Sequence, residues 1–178
     1  LERLIADMLQ FARGATLAEQ TFRLNELLDG VEDSLRPIVG PQQSLTVSRS
    51  ATDANLSGNR EALTGALINL GTNALHAAGE TARVEISAHI AGHQVDIRVS
   101  DNGPGVPVEL RQRIFDPFFT SRADGTGLGL PVARSVARAH RGDVLLLAAA
   151  EGGTTFVLRL PLPLHGADQD RDHRNAAA

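Results

Sequence analysis

The chain has 178 residues, of which 42% are hydrophobic, with 17 basic and 21 acidic side chains and a formal net charge of −4. These values fit one globular domain with a packed core, and the slightly acidic balance disfavours nucleic acid as a partner. There is no cysteine, which excludes disulfides, thiolate nucleophiles and cysteine-ligated zinc. No apolar run reaches the roughly 20 residues of a membrane span, so we expect a cytoplasmic fragment without membrane contact.

All 17 basic residues are arginine, and the chain contains no lysine. A Walker A loop and the catalytic strand of protein kinases both require a lysine beside the phosphates, so both are excluded. Any phosphate must be bound by backbone amides, side-chain amides, arginine or a metal ion.

The first half of the chain predicts short strands alternating with helices. Residues 1–13 carry a helical apolar stripe that predicts the end of a longer helix, so we place a boundary at residue 14. A strand at 20–25, a helix within 26–39 that ends near Pro37, and a strand at 44–49 follow. Asn59 is a good N-cap and Gly79 a good stop for a helix over 60–78. The predicted apolar stripe of that helix is Leu63, Leu67, Leu70, Ala74 and Ala77.

The second half predicts two hairpins and one helix. The expected elements are a hairpin of 82–90 and 93–100, an irregular stretch at 101–125, a helix over 128–140, and a hairpin of 143–149 and 154–162. In the first hairpin, the residues expected to point inward are Val95, Ile97 and Val99.

This order of elements predicts an α/β fold. We expect a two-layer sandwich in which one mixed, mostly antiparallel sheet carries helices on one face. The predicted folded domain is 15–164, and the polar, alanine-rich tail at 165–178 is predicted to be disordered.

Asn69 and Asn73 lie four residues apart, on one face of the helix over 60–78. Two asparagines in a helix interior are a poor structural choice, although each one alone could be a solvated amide. Their carbonyl oxygens are ligands that magnesium accepts. His76, three residues further on, could donate to a phosphate, but a surface histidine is the simpler interpretation.

Asp101 ends a predicted strand and is followed by Asn102, Gly103, Pro104 and Gly105. Such a sequence is often only a turn. A carboxylate followed by two glycines would also leave room for an adenine base, whose exocyclic amine could donate to Asp101.

Three of the six phenylalanines, at 115, 118 and 119, fall within five residues. We expect Phe118 and Phe119 to anchor one end of a mobile loop that exposes Arg122. Gly125, Gly127 and Gly129 then run into a predicted helix, and the free N–H groups of a helix start favour an anion.

Four stretches in order carry a resemblance: "NLGTNA", "DNGPG", "FDPFF" and "GTGLGL". They resemble the N, G1, F and G2 boxes of the catalytic domain of sensor histidine kinases. Those kinases share the Bergerat-type ATP-binding fold with gyrase, the Hsp90 chaperones and MutL. The match covers roughly 20–161, and its later part is most similar to nitrogen- or flagellar-regulatory kinases.

The resemblance implies a role for each matching residue. Asn73 would coordinate Mg²⁺ and act with Arg122 in catalysis, and Asp101 would bind the adenine amine. The segment 106–126 would be the ATP lid, and either Thr154 or Thr155 would close the base pocket. The remaining residues implied to contact the nucleotide are Asn69, His76, Gly103, Gly105, Gly125, Thr126, Gly127, Leu128 and Gly129.

Two departures limit the implied activity. Hydrolysing relatives carry a glutamate at the position of Asn69, and an amide cannot act as a general base. None of the six histidines precedes an acidic residue, so the phosphoacceptor is expected on another segment.

We therefore expect the ATP-binding catalytic domain of a bacterial two-component sensor histidine kinase. ATP and Mg²⁺ would be its ligands, and the histidine-bearing dimerisation domain of the same kinase and a response regulator its partners. The fragment would be monomeric and the parent kinase dimeric. The alternatives are a hydrolysing ATPase or a nucleotide-sensing module of the same fold.

Overall fold

The computed structural model describes residues 20–122, 125–148 and 152–163. The predicted helix at 1–13 and the predicted disordered tail at 165–178 lie outside the described residues. The elements in chain order are β1 (Gln20–Arg23), α1 (Leu24–Leu35), β2 (Ser44–Val47), β3 (Asn55–Gly58), α2 (Arg60–Ala78), β4 (Arg83–Ala91), β5 (Gln94–Asp101), α3 (Gly129–Ala139), β6 (Asp143–Ala148) and β7 (Thr154–Pro161).

Five strands form one mixed sheet in the order β2-β4-β5-β7-β6. β2 is parallel to β4, and the other neighbours are antiparallel. The register aligns Ile97, Leu158 and Val144 in one row, and all three side chains are buried. This apolar face packs against α2 and α3. The predicted α/β sandwich, with a mixed, mostly antiparallel sheet and helices on one face, is confirmed.

The opposite face of the sheet is polar. Asp96 and Arg159 lie directly opposite each other on β5 and β7, and two hydrogen bonds of 2.7 and 2.8 Å join them. Ser100 and Thr155 form a second cross-strand pair at 2.9 Å between hydroxyl oxygens. Alternation of apolar and polar residues along β4 and β5 therefore decides which of their side chains reach the helices.

The sequence did not predict β3. This strand pairs with β1 in a separate two-stranded ribbon, where Leu56 lies opposite Phe22 and both are buried. The residues Asn55, Ser57 and Gly58 are of types that are depleted in strands. Pairing with β1 therefore overrides the local preference for a loop.

Helix α1 begins at Leu24, two residues before the predicted start, and ends at Leu35, close to the predicted end near Pro37. The predicted strand at 20–25 is correspondingly short, because the Leu24 N–H bonds the Ala54 carbonyl at 2.9 Å as the chain turns into the helix. Pro37 ends the helix by forcing a 3₁₀ turn over Arg36–Ile38.

Helix α2 has the predicted limits. The Ala62 N–H donates to Asn59 Oδ1 at 3.0 Å, and Gly79 follows the last turn with φ of 72°. The Asn59 N–H itself donates to Nε2 of His140, just beyond α3, at 2.9 Å. Four members of the predicted apolar stripe are buried, but Ala77 is exposed because it faces the cavity described below.

Two glycines provide a matched test of this packing. Gly30 lies in α1, where an added Cβ would meet Thr64 at an ordinary 3.9 Å, so Gly30→Ala is expected to stabilise the fold by about 0.5–1 kcal/mol. At Gly142 an added Cβ would overlap the Arg159 carbonyl oxygen, so Gly142→Ala is expected to destabilise by about 1–3 kcal/mol. Urea unfolding of both variants measures the two changes, and equal changes would contradict the described approach of the chain at Gly142.

Candidate functional site

A cavity of about 450 Å³ opens between α2, the end of β5 and the start of α3. Most of the predicted site residues line it, although they come from three separate stretches of the chain. The predicted residues at its wall are Asn69, Asn73, His76, Asp101, Gly105, Arg122, Gly125, Thr126, Gly127 and Gly129.

Two predicted site residues lie just behind the wall. An added Cβ on Gly103 would come within 2.8 Å of Asp101 Oδ1 and 3.2 Å of the Ala77 carbonyl, so only glycine fits there. The Leu128 side chain is buried in the core, and its N–H donates to Thr126 Oγ1 at 3.3 Å. Both residues therefore shape the cavity without forming its surface.

Asp101 stands at one end of the cavity, where β5 stops. The Gly103 N–H donates to its Oδ1 at 2.8 Å, and Thr154 also donates to the carboxylate. Burial raises the pKa of Asp101 above its usual value, and these hydrogen bonds only partly oppose that effect. A half-buried carboxylate at a cavity wall is an acceptor that an amine or amide donor can reach.

The sheet register decides between the two threonines. Thr154 lies opposite Asp101, is 4% exposed and lines the cavity. The Thr155 hydroxyl instead pairs with Ser100 on the polar face of the sheet. Thr154 is therefore the threonine beside the predicted base pocket.

Asn69 and Asn73 line the opposite end of the cavity from α2. The Asn69 Nδ2 atom is buried and has no hydrogen-bond partner. A buried amide without a partner costs free energy. Within 20–122, 125–148 and 152–163, no group of three or more acidic, histidine or cysteine side chains could hold a metal.

The start of α3 lies against the two asparagines. An added Cβ on Gly129 would lie 3.5 Å from Asn73 Nδ2, so a side chain there would fill the space between the two helices. The first turn of a helix has N–H groups without partners inside the helix, and Pro131 has none to offer. The N–H groups of Gly129 and Leu130 therefore face the same region as the asparagine amides.

The three phenylalanines behave differently from one another. Phe115 contacts the Phe156 ring edge to face at 6.4 Å, and the Arg113 guanidinium lies 4.6 Å from the centre of the Phe119 ring. Phe118 is 66% exposed and has a φ of 65°, so the prediction that it anchors the loop is wrong. Its N–H donates to the Gly127 carbonyl at 3.0 Å, which turns the side chain outward. The packed residues are Phe115 and Phe119.

Sequence reasoning missed a glycine beside the cavity and several residues of the cavity wall. Gly153, with φ of 82°, donates its N–H to the Gly103 carbonyl at 2.7 Å and so holds two loops together. The Gly-Gly pair at 152–153 lies in the turn of the second predicted hairpin, and two adjacent glycines are the signal that points to a close approach there. Missed residues of the cavity wall include Thr72, Ala77, Ile114 and Phe156.

Comparison with known proteins identifies the family. Residues 58–164 match the family model described as "Histidine kinase-, DNA gyrase B-, and HSP90-like ATPase". The chain belongs to this ATPase family. The sequence resemblance is thereby confirmed.

Three relatives are similar to this ATPase domain. The sensor histidine kinase ZraS of Salmonella typhimurium is 32% identical over 167 residues, which cover 91% of this chain and 35% of ZraS. Full-length ShkA in complex with AMPPNP superposes with a TM-score of 0.77 at 28% identity, over 90% of this chain and 35% of ShkA. The histidine kinase ThkA in complex with the response regulator TrrA superposes with a TM-score of 0.76 at 27% identity. The match covers 90% of this chain and 47% of the ThkA chain.

The chain spans about a third of the length of ZraS. In the part of the chain that the structure describes, no helix is long and apolar enough to cross a membrane.

Asp101→Asn tests the cost of the buried carboxylate in this ATPase domain. Because burial raises the pKa of Asp101 in the folded state, the wild type loses stability as pH rises through that pKa. The variant lacks this loss, so its free energy of unfolding should exceed that of the wild type at pH 8. The difference should shrink as pH falls. Urea unfolding from pH 4 to 8 measures it, with the exposed Asp33→Asn as control. A difference that does not change with pH would contradict the assigned burial.

Proposed function

We propose that this chain is the ATP-binding catalytic domain of a bacterial two-component sensor histidine kinase. It binds Mg·ATP and presents the γ-phosphate to a histidine on the dimerisation domain of the same kinase. The observation that carries the proposal is one cavity with an acceptor carboxylate at one end and amide donors at the other. Its dimensions and polarity suit a nucleotide lying between Asp101 and the start of α3.

Asp101 accepts a hydrogen bond from the exocyclic amine of adenine in this scheme. Gly105 and Thr154 border the base, with Gly103 behind them, and the φ of 80° at Gly105 lets its backbone approach closely. Guanine has a carbonyl where adenine has the amine, and this oxygen would face the Asp101 carboxylate. Adenine is therefore selected over guanine by one hydrogen-bond acceptor, the Asp101 carboxylate.

The phosphates lie at the start of α3 and along α2. The N–H groups of Gly127 and Gly129 can donate to phosphate oxygens. The Gly125 N–H donates to the Arg122 carbonyl at 3.3 Å and so helps to shape the loop around the phosphates. Asn69 and His76 contact the phosphates from α2, and Thr126 and Leu128 hold the loop in place. This arrangement supplies donors without any lysine.

Asn73 would hold Mg²⁺ through its side-chain oxygen, and the bound ion would supply positive charge beside the phosphates. Arg122 contacts the γ-phosphate with its guanidinium, which can donate two parallel hydrogen bonds.

In the transfer itself, a nitrogen of the acceptor histidine forms a bond to the γ-phosphorus. The bond from that phosphorus to the oxygen bridging to the β-phosphate breaks, and ADP leaves. The Asn69 amide cannot remove a proton from water, which favours transfer over hydrolysis. A response regulator would then take the phosphoryl group, as the complex of the similar kinase ThkA with TrrA suggests. The fragment is proposed to be cytoplasmic and monomeric, within a dimeric parent kinase.

Nucleotide binding tests the proposal first. Titration calorimetry should show Mg²⁺-dependent ATP binding that exceeds GTP binding by about 1–3 kcal/mol, the cost of a missed hydrogen bond at Asp101. Asn73→Ala should abolish most of the magnesium dependence. Thr64→Ala, on the same helix but away from the cavity, is the control and should bind like the wild type. Equal affinity for ATP and GTP would contradict the role of Asp101.

Phosphotransfer tests the division of labour between segments. Alone with γ-labelled ATP, the chain should gain no acid-labile phosphate and release little inorganic phosphate. Adding a histidine-bearing dimerisation domain should restore labelling that depends on its concentration. Arg122→Ala should reduce this transfer by at least about tenfold and weaken ADP binding little, with the exposed Arg98→Ala as control. Rapid phosphate release by the chain alone would favour a hydrolysing ATPase, and binding without any transfer would favour a nucleotide-sensing module.

A further inference from the structure

A cation and an aromatic ring meet outside the cavity, at the base of the lid segment. The Arg134 guanidinium lies 4.6 Å from the centre of the Phe115 ring. Arg134 belongs to α3, whereas Phe115 belongs to the irregular stretch that leads to Arg122. Neither Arg134 nor Phe115 is part of the cavity wall.

Asp143 holds the guanidinium in place. Arg134 Nε donates to Asp143 Oδ1 at 2.8 Å, and Arg134 NH2 donates to Oδ2 at 3.1 Å. This two-point contact fixes the plane of the guanidinium, which a single hydrogen bond would not do. The hydrogen bond from Arg134 also lowers the pKa of Asp143, so the pair stays ionised well below neutral pH.

Phe115 connects this pair to the nucleotide region. Besides contacting Arg134, the Phe115 ring makes the edge-to-face contact with Phe156, which lines the cavity. Ile114, which directly precedes Phe115, is 8% exposed and also lines the cavity. The chain from Arg113 to Phe119, here named the lid root, is thus held between the sheet and α3.

We propose that Arg134 is a positioning residue that fixes the lid root through the Phe115 ring, with Asp143 orienting the guanidinium. The proposal rests on the function proposed above. A fixed lid root sets the direction in which the following residues, including Arg122, enter the cavity. Arg134 acts on the γ-phosphate only through the lid, so its loss affects ATP more than ADP.

The chain provides a matched control for this idea. Arg159 forms a two-point contact with Asp96 at nearly the same distances, on the polar face of the sheet. The Asp96 side chain is 13% exposed and that of Asp143 is 30% exposed, so losing Arg159 costs at least as much stability. In Arg134→Met, Arg138 remains 3.4 Å from Asp143, so that carboxylate keeps a cationic neighbour.

The experiment compares Arg134→Met with Arg159→Met in the full 178-residue chain. Hydrogen exchange of residues 113–119 and the dissociation constants of Mg·ATP and Mg·ADP are measured for both. Arg134→Met should speed exchange in the lid root and weaken ATP binding by about threefold to tenfold, the range for a partly exposed cation–π contact. ADP binding should change less than twofold. Arg159→Met should leave all three values unchanged, even where it lowers the thermal midpoint more.

A second comparison covers the case in which Arg134→Met folds poorly. Asp143→Asn keeps the guanidinium but removes its ionic partner, and it should give a smaller shift in the same direction. In a cycle with Phe115→Leu, the effects of Arg134→Met and Phe115→Leu on ATP binding should be less than additive, because both remove one contact. Additive effects, or lid-root exchange equal to that of Arg159→Met, would overturn the positioning role. Failure of the wild type to bind ATP would instead overturn the proposed function.

Discussion

The antiparallel pairing of β5 with β7 determines where the polar groups of the site lie. Its last pair brings Asp101 opposite Thr154, and the loops beyond it are joined by the bond from Gly153 N–H to the Gly103 carbonyl. The same register points Val99 and Phe156 toward the helices. A shift of one residue would exchange the two faces of β7 and bring Thr155 to the cavity. The apolar core and the site are therefore specified by one set of backbone hydrogen bonds.

Several groups in the site are unfavourable for folding alone. The half-buried carboxylate of Asp101, the unpaired amide nitrogen of Asn69 and the left-handed backbone at Phe118 each cost free energy. They persist because the surrounding core is well filled: in α1, Leu24, Leu27, Leu28, Val31 and Leu35 are all fully buried. Unfavourable groups are tolerated at the cavity wall because the core supplies the stability that they cost.

The sequence predicted those elements whose ends carry their own signals. Helix α2 has the limits that Asn59 and Gly79 predict, because a cap and a stop act locally. The strand β3 was missed because its stability comes from a partner more than 30 residues away. Its own residues favour a loop, so no local pattern could reveal it.

The candidate site was predictable in its parts and less so in its arrangement. The motif residues at 69–76, 101–105 and 122–129 could be found from their order along the chain, and most of them meet in one cavity. The choice of Thr154 over Thr155 depends on register, and the outward turn of Phe118 depends on its contact with Gly127. Both are set by distant or unusual backbone geometry, which residue types do not encode.

The contact between α3 and the start of α2 has a chemical consequence for His140. Its Nε2 accepts the Asn59 N–H, so the proton of the neutral ring sits on Nδ1, which lies 2.7 Å from the Val136 carbonyl. The Nε2 lone pair is occupied by the Asn59 N–H, and Nδ1 carries a hydrogen that it donates to the Val136 carbonyl. An imidazole in this state has no free electron pair for an electrophile. His140 is therefore shielded from electrophilic reagents such as diethyl pyrocarbonate for as long as the two helices stay joined, and its carbethoxylation would report their separation.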